Sequence, residues 1–375
     1  MTLDLFIMMK DIPVMRINTD TFTYEVLNRR LLPWTIKGKL RQAPTWEEDH
    51  SKYGETQRQL ANKANESAIL SWLANRTLLL SRANAKWLYN LLGVDQCTDE
   101  YTKSKFSLIC RSVSLLDCYW VKLASDKTKW ADIDIRHNPL NETIAQVALH
   151  GKSVTIQGSL ITPELTTNGA YAKAWRRYDD GSIWMHKLGH DGNTESRIEV
   201  MCSNLLDKMN VEHVPYVATE DEGKYVCACP CITTDDIGIL PAMDFYSCCN
   251  VNGLDPDKTA LTIDAESIHK MWQVDYLISN RDRHSQNWGF FYNVNNMHIM
   301  KCHPLFDHNN AFAIEYMRDD DAPYQFGGMT IRQAGKIGHE KHPIEFVKPI
   351  TKSDFITTRQ YDSFMHRACD LGIIQ

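Results

Sequence analysis

The stretch Asn280-Arg281-Asp282-Arg283-His284-Ser285-Gln286-Asn287-Trp288-Gly289-Phe290-Phe291-Tyr292, carried on to Pro304-Leu305-Phe306-Asp307, decides how the rest of the chain is read. Gly289–Tyr292 and Met297–Cys302 are short apolar runs on either side of Asn293-Val294-Asn295-Asn296, the pattern of two strands and a turn. A hairpin folds its far end back on its near end, so Asp307 is expected beside Asn287, which itself follows Asp282 by five residues. That would gather a carboxylate, a carboxamide and a second carboxylate around one small volume. Phosphoryl transfer uses such a set: one Asp to accept a hydroxyl proton, and an Asn and an Asp as hard oxygen ligands for magnesium. The bland alternative is an Asn-rich polar turn between a helix and a hairpin. Three metal-competent residues at these spacings favour the chemical reading.

At 375 residues the chain is long enough to bury a sizeable core in two or three domains, and 43% hydrophobic with 23% charged residues is ordinary globular composition. The net charge of −6, without a long Lys/Arg run, indicates no nucleic-acid footprint. No stretch reaches the roughly 18 apolar residues of a membrane span. Met1 to Met15 carries Asp4, Lys10 and Asp11 among its apolar residues, and so does not read as a secretory signal. Eleven cysteines, several in apolar contexts (Cys110, Cys118, Cys202, Cys369), suit reduced core thiols and a cytoplasmic location. Cys227, Cys229 and Cys231 would share one face of a strand. Zinc sites more often use Cys-x-x-Cys turns, and small buried residues are the simpler account.

Residues 1–150 carry no signal of this chemistry. Glu66–Leu73 and Ala83–Leu92 have helical periodicity, the second with Ser81 as a possible cap and Gly93 as its end. Arg76, Arg82 and Lys86 near that second helix read as a solvated basic face rather than a phosphate site. Leu115–Lys122 fits either a helix end or a strand. A turn at Asn138–Asn141 marks the boundary region. From Lys152 the pattern changes to short strands, beginning with the alternating Ser153–Gly158. The small residues of Thr166-Thr167-Asn168-Gly169-Ala170 would let backbone amides close over phosphates. Asp179–Ser182 is a hairpin turn, and the strand Ile183–Leu188 after it carries Lys187, placed as a nucleotide-phosphate Lys would be. A helix over Glu195–Met209 brings Glu199, which either orients that Lys by an ion pair or stays on the surface beside Arg197. Val214–Val217 and Tyr225–Cys229 read as the next strands. Pro230–Thr234, including Cys231, is then the expected adenine-facing hinge, after which the chain is expected to turn helical. The helix Ala265–Ile278, with Asp264 as N-cap, delivers the chain to Asn280.

Taken in order, Thr166–Ala170, Lys187, Glu199, Asp282-Arg283-His284-Ser285-Gln286-Asn287 and Phe306-Asp307 resemble the HipA-like Ser/Thr kinases over about residues 150–375. The Asp-Arg-His-x-x-Asn form is shared with phosphoinositide kinases, and Asp307 is followed by His308 rather than by a Gly. The resemblance implies an α+β, bilobal protein kinase-like fold preceded by a mainly helical N-terminal domain. The expected division is 1–150, a small β-rich lobe over 151–234 and a helical lobe over 235–375. It implies ATP and magnesium as cofactors, with Asp282 as catalytic base and His284 bracing its loop. Asn287 and Asp307 become the metal ligands. Thr167, Asn168, Gly169, Ala170, Lys187, Glu199 and Cys231 become the ATP-binding residues. Autophosphorylation is expected at Thr166 or Thr167. A protein bearing a Ser/Thr acceptor is the expected partner, with an antitoxin-like partner and a toxin or stress-regulatory role also implied, and neither membrane nor nucleic acid. A lipid kinase and a pseudokinase binding module are the alternatives.

Overall fold

The structure, a computed structural model, describes residues 4–18, 23–94, 98–152, 158–190 and 193–374. Of the strand expected over Ser153–Gly158, all but Gly158 lies outside the described residues.

The chain opens with β1 (Asp4–Met9), β2 (Ile12–Asn18) and β3 (Tyr24–Val26), continues through α1 (Trp34–Lys37), α2 (Lys52–Ala74), α3 (Ala85–Leu91) and α4 (Glu100–Ile109), and reaches β4 (Tyr119–Leu123) and α5 (Glu142–His150). Helix outweighs strand here, as expected, but the sequence reading had not placed an antiparallel sheet of order β3-β2-β1-β4. The ambiguous Leu115–Lys122 becomes strand at Tyr119 because Tyr119, Trp120 and Val121 pair with Met9, Met8 and Ile7 of β1, all six buried. α2 starts where Ser51 accepts a hydrogen bond from the Gly54 N–H, and buries Ala61, Asn65, Ala68, Ile69 and Trp72 at three- and four-residue steps. α3 begins two residues later than expected, and Ser81 does not cap it. Asn84 sits at its N-cap in the left-handed region and donates its amide to the Ala148 and Leu149 carbonyls of α5. The expected solvated basic face is also corrected. Arg82 is buried, Arg76 is buried in an ion pair with Asp117, and of the three cations only Lys86 is exposed.

A second antiparallel sheet follows, built from β5 (Lys173–Arg177) and β6 (Ile183–Lys187), then, after α6 (Thr194–Lys208), from β7 (Val217–Asp221) and β8 (Lys224–Pro230), in the order β5-β6-β8-β7. α6 lays Ile198, Met201, Cys202, Leu205 and Leu206 on the core. β7 starts at Val217, where a strand had been expected to end, because Val214 is taken up elsewhere and donates its N–H to the Leu305 carbonyl. Cys227 and Cys229 are buried on β8, and burial pushes both thiols up to about 12, so they behave as small apolar residues. Among the described residues no metal-competent cluster involves them. Cys369, expected in the core, is exposed.

The larger lobe runs through β9 (Ile237–Pro241), α7 (Ala242–Val251), α8 (Pro256–Leu277), β10 (Gly289–Asn293), β11 (His298–Cys302), α9 (Ile331–Lys341) and α10 (Thr358–Leu371). After Thr234 the chain does not turn helical directly. β9 forms first and pairs with β10, giving a three-stranded sheet of order β11-β10-β9. The apolar Ile237-Gly238-Ile239-Leu240 is too short and too continuous to separate strand from helix by periodicity. α8 is two helices joined at Asp264, whose φ of −156° breaks the ladder. The Asp264 carboxylate caps the second half through the Ser267 N–H at 3.1 Å and ties it to the hairpin through the Cys302 N–H at 2.9 Å. α9 packs against α8 closely enough that a Cβ at Gly338 would stand 2.4 Å from the His269 carbonyl oxygen. The small β-sheet lobe with its single helix, above a helical lobe bearing a hairpin, has the layout of a protein kinase-like fold.

Candidate active site

Lys187, on β6, is 5% exposed and stands where the small lobe meets Asp307 of the larger one. Its Nζ stands 2.9 Å from Glu199 Oε1 on α6, 3.0 Å from Asp307 Oδ1 and 3.2 Å from the Tyr216 hydroxyl. Burial alone would lower this amine's pKa. The Asp307 and Glu199 carboxylates outweigh it and hold Lys187 well above its ordinary value. Burial likewise opposes ionisation of Asp307, but the charges of Lys187 and Lys173 depress its pKa. Burial raises the Glu199 carboxyl, offset by Lys187, and its second oxygen accepts the His308 N–H at 2.9 Å. Glu199 is therefore in the cleft and 1% exposed, not on the surface beside Arg197.

The loop after α8 is a set of turns with internal hydrogen bonds. Asp282 is half-buried, its Oδ2 accepting from Asn310 Nδ2 at 2.7 Å, and its carbonyl accepts the Asn287 carboxamide nitrogen at 3.0 Å. That bond points the Asn287 amide oxygen, the metal-competent atom, the other way. His284 donates its N–H to the Asp282 carbonyl at 2.9 Å, accepts the Asn287 N–H on its own carbonyl at 2.8 Å, and takes the Gln286 N–H on Nδ1 at 3.3 Å. Beneath the loop lies Arg283, 2% exposed. It contacts both Asp275 oxygens through Nε, at 3.1 and 3.3 Å, and Oδ1 again through Nη2 at 3.0 Å. Its Nη1 donates to the carbonyls of Asn287 at 2.9 Å and Phe306 at 2.7 Å. One guanidinium thus joins the residue before Asp307 to Asn287, so the two sequence-expected metal ligands flank it. Asp275 is completed by Tyr324 Oη at 2.6 Å and Asn280 Nδ2 at 3.1 Å. Asp307 adopts φ +61°, a left-handed conformation rare for residues other than Gly and Asn, and Asn309 Nδ2 holds its Oδ1 at 3.1 Å.

The covering loop is more enclosed than expected. Gly169 has φ +106°, which L side chains rarely adopt, and it lies against Lys173, whose Nζ would have to move from a Cβ placed there, 2.1 Å away. The Thr166 and Thr167 hydroxyls do not lie in a free cover. Thr166 Oγ1 is buried and donates to the Val113 carbonyl at 2.8 Å, while Thr167 Oγ1 donates to the Pro163 carbonyl at 2.7 Å and accepts from Trp175 Nε1 at 2.9 Å. Cys231 lies just past β8, its N–H bonded to the Ile183 carbonyl and its Sγ beside Thr233. Among the described residues it forms no hydrogen bond with Lys187, Glu199 or Asp307.

Lys173 is the site residue that sequence reading missed. It pairs directly opposite Lys187 across the β5–β6 hairpin and is 6% exposed. Its Nζ donates to the Asn168 carbonyl at 2.9 Å and, among the described residues, forms no ion pair. Burial first and the Lys187 charge second push its pKa down to about 7. The one available signal was that Lys173 and Lys187 stand about equally far from the hairpin turn, and directly opposed residues share a face. A buried amine with no direct ion pair among the described residues, two carboxylate oxygens and a carboxamide oxygen fit a phosphate chain with a magnesium ion. Lys173 and Lys187 would face the phosphates, with Asn287 and Asp307 on the metal.

No protein-family model matches the chain, and no curated protein matches it by sequence. Among solved structures it is similar to the proinflammatory kinase CtkA of Helicobacter pylori, at 12% identity and a TM-score of 0.37, over 54% of this chain and 92% of that one. It is also similar to the chain of the Shewanella oneidensis MR-1 toxin–antitoxin structure of HipA with HipB and its operator DNA, at 11% identity and a TM-score of 0.48, over 99% of this chain and 100% of that one.

Proposed function

We propose that this chain is an ATP- and magnesium-dependent Ser/Thr protein kinase of HipA-like type. The observation that carries the reading is the convergence of Lys187, Glu199 and Asp307 within 3.0 Å contacts, with Arg283 bonding the carbonyls of both Asn287 and Phe306. The division into an N-terminal region over 1–150, a small lobe over 151–234 and a large lobe over 235–375 goes with it.

Magnesium, when bound, would neutralise charge on phosphate oxygens, and Asn287 and Asp307 would hold it. Asp282 orients the acceptor hydroxyl, with Asn310 fixing one of its oxygens, and takes the proton late because little nucleophile activation is needed in a loose transition state. Lys187, locked by two carboxylates, stays charged to hold the phosphates, and Lys173 gains in them the anion it lacks. His284 keeps the loop closed through its backbone bonds and Nδ1. The acceptor is a Ser or Thr of a protein, with an antitoxin-like protein as a further partner. Autophosphorylation at Thr166 or Thr167 requires the turn at 163–167 to open, since both hydroxyls are engaged there. Intact-mass measurement and peptide mapping after incubation with ATP and magnesium test this: one added phosphate on the Thr166/Thr167 peptide is expected. An unmodified peptide from a preparation active on another acceptor would remove those threonines from the reading.

A further inference from the structure

The covering loop is held from outside its own lobe. Arg82, in the turn between α2 and α3, is 3% exposed. Its Nη1 donates to the carbonyls of Glu164 at 2.7 Å and Thr167 at 3.3 Å, and its Nη2 to the carbonyl of Lys173. One residue on, the Ala83 N–H donates to the Ala170 carbonyl at 2.7 Å. With Thr166 bonded to the Val113 carbonyl, both feet of the loop and its middle hang from the N-terminal region.

Arg82 makes its hydrogen bonds to backbone alone, with the buried Glu164 carboxylate favouring its charge from nearby. The Glu164 carboxylate is occupied elsewhere, accepting the Trp175 N–H at 2.8 Å and the Thr162 hydroxyl, and Arg82 forms no ion pair among the described residues. Burial pushes the guanidinium down to about 10, which leaves it charged at neutral pH. Burying a cation on carbonyls costs free energy that an apolar side chain would not. What the arrangement achieves is orientation. Carbonyl oxygens repel phosphate and amide N–H groups attract it. Four carbonyls of the loop, those of residues 164, 167, 170 and 173, are drawn toward residues 82 and 83, so these oxygens do not crowd the Lys173 and Lys187 amines in the cleft.

We infer that Arg82 is a positioning residue for nucleotide binding, and that through it the N-terminal region sets the affinity of the kinase site for the phosphates of ATP. This rests on the kinase reading. Steady-state kinetics with varied ATP, together with hydrogen exchange of the loop amides, test it on the full chain. Arg82→Met is expected to raise KM for ATP by about tenfold with kcat within about threefold, because the clamp acts on binding rather than on the transferring group. Arg82→Lys, which keeps a charge but not the fork, is expected to recover part of the loss. Thr166→Val, which removes the other tether without opening a cavity, should shift KM in the same direction by less. In all three, exchange should quicken at residues 166–172 and not in α8. If Arg82→Met fails to fold, Arg82→Lys and Thr166→Val decide. A KM for ATP within about twofold of wild type in the folded variants overturns the inference alone. Wild-type protein that binds no magnesium-ATP overturns the kinase reading, and the inference with it.

Discussion

Two loops meet in the cleft, each hung from a buried arginine, and the two arginines are anchored differently. Arg283 holds the catalytic loop and the segment before Asp307 while resting on the carboxylate of Asp275, a residue of α8 in the same lobe. Arg82 holds the covering loop with three carbonyl contacts, from a turn in the N-terminal region, with no carboxylate hydrogen-bonded to it. The loop around Asp282 is thus held by the core that surrounds it, and the loop over Lys173 from elsewhere. On the proposed reading, chemistry and nucleotide affinity would then be adjustable separately.

The contrast is broken or sharpened first at Arg283. Arg283→Met leaves the Asp275 carboxylate buried without its cation, and should lower unfolding stability by about 3–5 kcal/mol, read from denaturant midpoints. A loss below about 1 kcal/mol would mean that the catalytic loop does not depend on this anchor. Next in size is Asn287→Ala. It removes a proposed metal ligand and a single hydrogen bond, so the free protein should melt nearly as wild type while the magnesium-dependent part of the ATP-induced rise in melting temperature disappears. An unchanged rise would remove Asn287 from the metal.

The smallest effect belongs to Lys173. Its folded pKa of about 7 lies below the ordinary 10.5 of an unfolded Lys. Between those values the unfolded chain binds more protons, so the contribution of Lys173 to stability rises with pH through that window and is flat below it. A bound phosphate should raise the folded pKa again. Magnesium-ATP binding near about pH 8 is then expected to take up close to one proton, seen as a dependence of calorimetric heat on the buffer's ionisation enthalpy, and Lys173→Met should abolish the uptake. Heat independent of the buffer in wild type would contradict the placing of this amine against phosphate.

The hairpin between Asn287 and Asp307 was legible because its turn residues announce themselves. The strand of Lys187 and the helix of Glu199 were legible as short regular elements, but whether Glu199 meets Lys187 or stays on the surface was decided only by the packing of α6. What hid was set by distant partners. β1 is apolar from Leu5 to Met9 because it is a central strand between β2 and the distant β4, so no alternation marked it. Arg82 and Lys173 look like any cation in sequence, and only the carbonyls folded around them distinguish a clamp from a solvated face. Thr166 and Thr167 read as a flexible cover because residue types do not reveal that Val113 and Pro163 take their hydroxyls.

The central claim, that this cleft transfers phosphate, rests most directly on Asp282. Purified wild-type protein and Asp282→Asn, offered ATP labelled at the γ-phosphate with magnesium and a Ser/Thr-bearing protein acceptor, should differ by about 10²–10⁴-fold in transferred label, as expected for loss of a catalytic base. Their melting temperatures should be alike, since Asp282 is a half-buried polar residue of the cleft. Equal transfer by both proteins would contradict the account.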